Sequence, residues 1–377
     1  MREITFYNMS FGDSFLIRDD NHGLLVDCGT YNDPLNITSI TTSLITRDLI
    51  SLSQKNLLIT HYHMDHFICL LKLGVKFDTI YVRNLGSRVL RFTFASAFSE
   101  LIKYAHKTGD YKTFSAWLSR GVLNNLLHRG GVVLGLNNNI FKHFKIGPSS
   151  ADVLWPTTNL PSSKLAKMDE CSEKIESIIE RKASESVRRY LDGTKHFWEE
   201  VFAYIDKEKA NSEGWDNLLN KSSDSYELKF EEAEQLVNDV APLLEDIKGD
   251  LLDLENYLSI VFEIDGKLLM CGDATKTAMR EAMKHSTLNN SNKYYEIIKI
   301  PHHGTHRHYF NYHYNHSTDL LIPNSYQIHS SSWSIDYRYS YPSTARCHCL
   351  NNCIHSACKT PCHQRGYVFV LCKKLYF

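Results

Sequence analysis

The run Leu57–Thr60 is short, apolar and strand-like, and it passes without a spacer into His61-Tyr62-His63-Met64-Asp65-His66. A strand end projects residues i and i+2 to the same side, so His61 and His63 can converge on one cation. The turn that follows can swing Asp65 and His66 towards a neighbouring position. Imidazole and carboxylate together suit zinc, manganese or iron, and disfavour magnesium or calcium as the sole ion.

Two further pieces fall where a second ion would need them. Ser259–Ile264 and Lys267–Met270 read as a hairpin around Asp265-Gly266, and the second strand ends at Cys271-Gly272-Asp273, so the Asp273 carboxylate can bridge two ions. The strand Glu296–Ile300 ends at Pro301-His302-His303-Gly304. Three groups of metal-ligand residues, each at the C-terminal end of an expected strand, make a stronger signal than any one alone.

The rest of the chain alternates strand and helix signals in its first quarter. Glu3–Tyr7 and Ser14–Arg18 flank the turn Gly12-Asp13, and Leu24–Val26 stops at Asp27-Cys28-Gly29. Helical spacing covers Asn36–Ile50 and Arg91–Leu127, with strands at Thr79–Val82 and Val153–Trp155. From Lys164 to about Glu255 there is almost no strand signal. Asp319–Ile322 and Tyr367–Cys372 read as late strands.

His61-x-His63-x-Asp65-His66, Gly272-Asp273 and Pro301-His302-His303-Gly304 together resemble the metallo-β-lactamase superfamily. In particular they resemble the branch containing the nuclease domain of ComEC-type DNA-uptake proteins. Gly12-Asp13-Ser14 and Leu25-Val26-Asp27-Cys28-Gly29 are similar to that branch's opening. The resemblance covers roughly residues 1–90 and 257–345. It implies an α/β fold, an αββα sandwich with a dinuclear site along the sheet edges, holding two divalent ions, Zn²⁺ or Mn²⁺. His61 and His63 would bind the first metal, Asp65 and His66 the second, and Asp273 would bridge. His302 is preferred over His303 to complete the second site because it follows the strand and proline directly. The further first-metal histidine of many superfamily members has no counterpart in context here.

Charge divides the chain into three. Residues 1–160 carry a net +4, residues 161–256 carry 13 basic against 24 acidic side chains, a net −11, and residues 257–377 carry +6. The expected organisation is therefore a first half-domain over 1–160, an acidic helical insertion or cap over 161–256, and a second half-domain over 257–377. The basic flanks leave room for an anionic substrate, with Arg83, Arg88, Arg91, Lys103, Lys107 and Lys112 as phosphate contacts. The acidic block is a candidate lid or protein-partner surface.

Ten cysteines in an expected cytoplasmic chain argue for thiols or metal ligands over disulfides. The cytoplasmic expectation rests on Met1-Arg2-Glu3, which leads into a strand-like stretch with no apolar signal core. The longest apolar runs are also far short of a membrane span. Cys347, Cys349, Cys353, His355, Cys358, Cys362 and His363 fall with His348 in seventeen positions of a Cys-rich C-terminal loop, enough for a structural Zn²⁺.

The expected chemistry is hydrolysis by a metal-activated hydroxide, which two close cations generate near neutral pH. Asp65 can orient that hydroxide as well as hold metal, and His306 and His308 are candidates for supplying the leaving-group proton. The leading expectation is a phosphodiesterase, a nuclease on DNA or RNA. The alternatives are a hydrolase of a small ester, lactone, thioester or cyclic nucleotide, and a regulatory binding module with a vestigial site.

Overall fold

The computed structural model describes residues 2–9, 12–31, 38–120, 130–139, 142–205, 229–289, 294–310, 319–321, 346–347 and 372–377. Two seven-stranded sheets carry the fold. The first runs β14 (Cys372–Tyr376), β1 (Arg2–Tyr7), β2 (Phe15–Asp19), β3 (His22–Val26), β4 (Gln54–Leu58), β5 (Phe77–Arg83) and β6 (Gly130–Leu136). The second runs β13 (Arg346–Cys347), β12 (Asp319–Leu321), β11 (Ile297–Lys299), β10 (Leu268–Met270), β9 (Val261–Ile264), β8 (Ser149–Trp155) and β7 (His143–Ile146). In each sheet an antiparallel half meets a parallel half: β3 to β6 are parallel in one, β10 to β13 in the other.

Period-two alternation decides which side chains face the partner sheet. Phe15, Ile17, Leu24, Val26 and Leu58 of the first sheet join Phe262, Ile264, Leu268, Met270 and Ile297 of the second in one buried apolar layer. Their neighbours Leu16, Leu25, Leu57, Leu269 and Ile298 point the other way, into a second buried cluster shared with helices. These helices include α1 (Thr38–Ile50), α3 (Ser87–Thr108), α4 (Tyr111–Arg120) and α9 (Lys276–Ala282), with the short α2 (Met64–Phe67) at the site. The result is a sandwich of two sheets with helical outer layers.

The acidic stretch contributes α5 (Ser162–Lys182), α6 (Glu185–Ile205), α7 (Phe230–Val240) and α8 (Lys248–Tyr257). Met168, Cys171, Ile175 and Ile178 recur at three- and four-residue spacing along α5, so they form one apolar stripe. That stripe, with Leu236 and Val237 of α7 and Leu251 and Leu254 of α8, is continuous with the α3 core.

The charged face of α5 is paired as well. Asp169 holds Arg88 in an ion pair, and Glu176 accepts from Arg91 Nε at 2.9 Å and from Lys195 at 3.1 Å. Arg83 is buried against Glu255 of α8, and Lys103 pairs with Glu100 at 2.9 Å. Four of the six basic residues expected to contact phosphate are thus bound to the protein's own carboxylates. Sequence pattern could not reveal this, because each partner except Glu100 is remote in the chain.

Strands β6 and β7 were not expected from the sequence. Gly130-Gly131 opens the first, and the second is four residues long with alternating exposure. Cys28, Cys69, Cys171 and Cys271 are buried thiols. No helix among the described residues is long and apolar enough to cross a membrane.

Candidate metal centre

The site lies where strands β3, β4, β10 and β11 end, and its position follows from backbone pairing. After β4 the chain turns through His61–His66, and two other strand-end turns bind that turn directly. Asp13 N–H donates to Asp65 O at 2.9 Å, and Cys28 N–H donates to His66 O at 2.6 Å. A Cβ at Gly29 would stand 2.3 Å from Met64 O, so only glycine lets this turn approach so closely. Gly272, at φ 49°, plays the same part on the second sheet, where a Cβ would stand 2.2 Å from Ser259 Oγ.

Two ligand groups sharing one carboxylate result. His61, His63 and Asp273 form one, and Asp65, His66, Asp273 and His303 form the other, with ligand atoms in each within 4.8 Å of one another. His61 Nε2 lies 3.0 Å from His63 Nδ1 and 3.9 Å from Asp273 Oδ2. His66 Nε2 lies 3.3 Å from the same Oδ2, and His303 Nε2 lies 3.1 Å from Asp65 Oδ2. His63 Nε2, His66 Nε2 and Asp273 Oδ2 are buried with no hydrogen-bond partner. Buried polar atoms are normally satisfied, so orphaned nitrogens and a carboxylate oxygen aimed into one space fit a cation.

His302 touches these groups through the shared carboxylate. Its Nδ1 is 2.8 Å from Asp273 Oδ2 and 3.3 Å from Asn256 Nδ2, and its ring stacks on His308 at 4.2 Å. The residue that joins Asp65 and His66 is His303, whereas position after the strand had favoured His302. Both histidines have positive φ, 44° and 54°, so the period-two rule of extended chain does not apply to them.

A second tier holds the imidazoles. Asp27 takes His66 Nδ1 at 2.8 Å and also accepts from Thr60 Oγ1 at 2.7 Å and Thr60 N–H at 2.8 Å. Thr60 Oγ1 lies 3.1 Å from His61 Nδ1. With Nδ1 engaged, Nε2 of His61 and of His66 is the nitrogen left to face a metal. Lys299 is fully buried at the centre, 2.6 Å from Asp13 and 3.2 Å from Asp273 Oδ1.

Protonation follows from these surroundings. Burial, reinforced by the neighbouring His66 and His63, drives His61 well below its usual range, and burial lowers His63 too. For His66, burial opposes the charge, but Asp273, Asp27 and Asp65 together push its pKa well up. His303 is likewise raised to about 9, because Asp13 and Asp65 outweigh its burial. Asp273 is buried, yet His66 and Lys299 hold it well below the carboxylate range. The first group is therefore neutral imidazole, and the second a charged cluster.

Asp13, Asp27, Lys299, Asn256 and Ser259 were not among the expected site residues. The first two had a signal, since each is an aspartate in a turn beside a strand end. Lys299 had a fainter one, a lone charge inside the apolar run Ile297–Ile300. His308 is buried, and burial together with His302 depresses its pKa to about 3. The side chain of His306 lies outside the described residues, as do the side chain of Cys347 and all of Cys349, Cys353, His355, Cys358, Cys362 and His363.

Residues 8–131 match the family model described as Metallo-beta-lactamase superfamily. The match spans about a third of the chain and makes that segment similar to a superfamily whose members are generally metal-dependent hydrolases. The matched segment holds Asp13, Asp27 and His61–His66, while Asp273 and His303 come from beyond it. Among solved structures, the metallo-beta-lactamase fold protein YhfI from Bacillus subtilis is similar at 14% identity, with a TM-score of 0.22. The match covers 41% of this chain and 53% of that one, about half its length. No curated protein matches.

Proposed function

We propose that the protein is a dinuclear metal-dependent phosphodiesterase acting on nucleic acid. The observation that carries the reading is the pair of ligand groups that share Asp273, with the unpartnered His66 Nε2 3.3 Å from its Oδ2. His61 and His63 would hold one ion, Asp65, His66 and His303 the other, and Asp273 both. Two such ions, Zn²⁺ or Mn²⁺, would supply Lewis acidity towards a phosphoryl or acyl oxygen and would lower the pKa of bound water.

The chain's own residues set the rest. Lys299 engages Asp273 Oδ1, and Oδ2 faces the histidines. Asp65 is the most exposed of the site carboxylates, with a fifth of its side chain accessible (19%), so it faces an incoming substrate and can orient the attacking water. Lys107 places its ammonium 3.7 Å over the exposed ring of Tyr31, two residues beyond Gly29 and its contact with the Asp65 turn. That cation supports an anionic substrate at this edge.

A second reading is hydrolysis of a small phosphodiester or ester. It is favoured by the intramolecular pairing of Arg83, Arg88, Arg91 and Lys103, which leaves less basic surface for a polyanion. The deciding experiment incubates end-labelled single- and double-stranded DNA and RNA with Mn²⁺ and wild type or His63→Ala. Bis(p-nitrophenyl) phosphate and p-nitrophenyl acetate run alongside. Cleavage of polynucleotide by wild type alone supports the nuclease. Turnover confined to the small substrates moves the assignment to the second reading, and no turnover with metal bound rejects both.

A further inference from the structure

The helical block ends at the metal site, in five consecutive residues that touch three of its parts. Glu255, in the last turn of α8, accepts the backbone N–H of Tyr62 at 3.1 Å. Tyr62 is the residue between His61 and His63. The same carboxylate takes Arg83 through both Nη atoms, at 2.9 and 2.6 Å, and the guanidinium lies 5.3 Å from the centre of the Tyr62 ring. Asn256, the next residue, stands 3.3 Å from His302 Nδ1. Ser259, where the chain leaves α8 for β9, accepts the Asp273 N–H at 2.9 Å and lies 3.4 Å from His61 Nδ1. Glu255, Asn256, Ser259 and Arg83 are all buried.

We propose that residues 255–259 form a positioning strap for the first ligand group, through which the helical block sets that group's metal affinity. The argument is one of constraint. His61 has Thr60 as a hydrogen-bonding support on its own strand, and Asp27 serves His66 instead. Glu255 fixes the Tyr62 backbone between the two histidines, and Ser259 joins Lys299 and the His302 N–H in holding the Asp273 turn. A ligand held within a few tenths of an ångström by outer contacts loses affinity when they go, by about ten- to a hundredfold. Arg83 makes the strap rigid, because a bidentate carboxylate–guanidinium pair fixes orientation as well as distance.

This inference rests on the dinuclear reading but not on the substrate. Its test is metal binding by the full chain, stripped and titrated with Co²⁺, whose visible spectrum reports each site. His63→Ala and His303→Ala assign the bands to the two groups. Glu255→Ala should weaken the His61/His63 site about ten- to a hundredfold and leave the Asp65/His66/His303 site within about twofold, and Ser259→Ala, which touches His61 as well as the shared Asp273, should weaken the first site more than the second. Glu255→Gln keeps an acceptor for Tyr62 N–H and should recover part of the loss. Ser259→Ala removes a single oxygen, so it reports even where Glu255→Ala does not fold. Equal weakening of both sites, or no weakening in Ser259→Ala, overturns the strap. A wild type that binds no metal overturns the dinuclear reading and the strap with it.

Discussion

His61 and His63 have Thr60, Ser259 and the Tyr62 backbone around them, the Arg83–Glu255 pair beyond Tyr62, and Asp273 as the carboxylate grouped with them among the described residues. Their partners across the site, His66 and His303, face Asp13, Asp27, Asp65 and Asp273 within 4.0 Å. Both halves hang on strand ends and share Asp273, and burial disfavours charge on the imidazoles of both, yet their protonation comes out opposite. In the first burial removes charge from the imidazoles, and in the second the carboxylates restore it. The first half is a soft, weakly charged site that depends on outer contacts for its shape. The second is held by its own electrostatics. Two ions bound here should differ in affinity, the second half filling first.

Removing what the halves share should have the largest effect. Asp273→Ala is expected to abolish binding of both ions and to lower turnover by at least about a hundredfold, since metal and orientation are lost together. Elemental analysis beside a turnover assay checks it, and retention of one full equivalent would show that the halves are independent.

Breaking the strap's anchor is next. Arg83→Met leaves Glu255 buried without its guanidinium, which should cost about 3–5 kcal/mol in chemical denaturation. Arg91→Ala, which removes an ion pair of a half-exposed kind on the helical block, should cost no more than about 1 kcal/mol. If the two variants cost the same, burial is not what separates these pairs.

Asp27→Asn sharpens the contrast from the other side. It replaces the acceptor that fixes His66, so the second ion should weaken about ten- to a hundredfold while the first is held.

The smallest expected effect is a pH response of the metal-free protein. His303 has its pKa raised to about 9 from an unfolded value of 6.5, so its ion pairs contribute stability that is complete below pH 6.5 and lost as pH rises through 9. The lowered pKa of His61 acts with the opposite sign, its contribution vanishing as pH falls below 6.5. Melting curves from pH 6 to 10 should show wild type losing stability at the alkaline end, and His303→Gln should lose less.

What the sequence disclosed, it disclosed locally. His61, His63, Asp65, His66 and Asp273 were readable because each sits one step past an apolar run, and strand periodicity says where such residues point. Lys299 sits inside such a run, and nothing local shows that Asp13 and Asp273 will neutralise it. The rule used to choose between His302 and His303 presumes extended backbone, and both residues are left-handed, with His302 on Asp273 and His303 on Asp65. Segment charge was read as surface for partners, and no local pattern shows that Arg88 will pair with Asp169 and Arg91 with Glu176, because the partners are remote in the chain.

The left-handed pair His302-His303 has an evolutionary consequence. Side chains with a Cβ pay about 1–2 kcal/mol to occupy that conformation, and glycine does not. Drift towards Gly or Asn at these two positions would therefore make the protein sturdier, and only selection on what the imidazoles do can hold them in place. A lineage released from that demand should lose its histidines here early, before its core begins to erode.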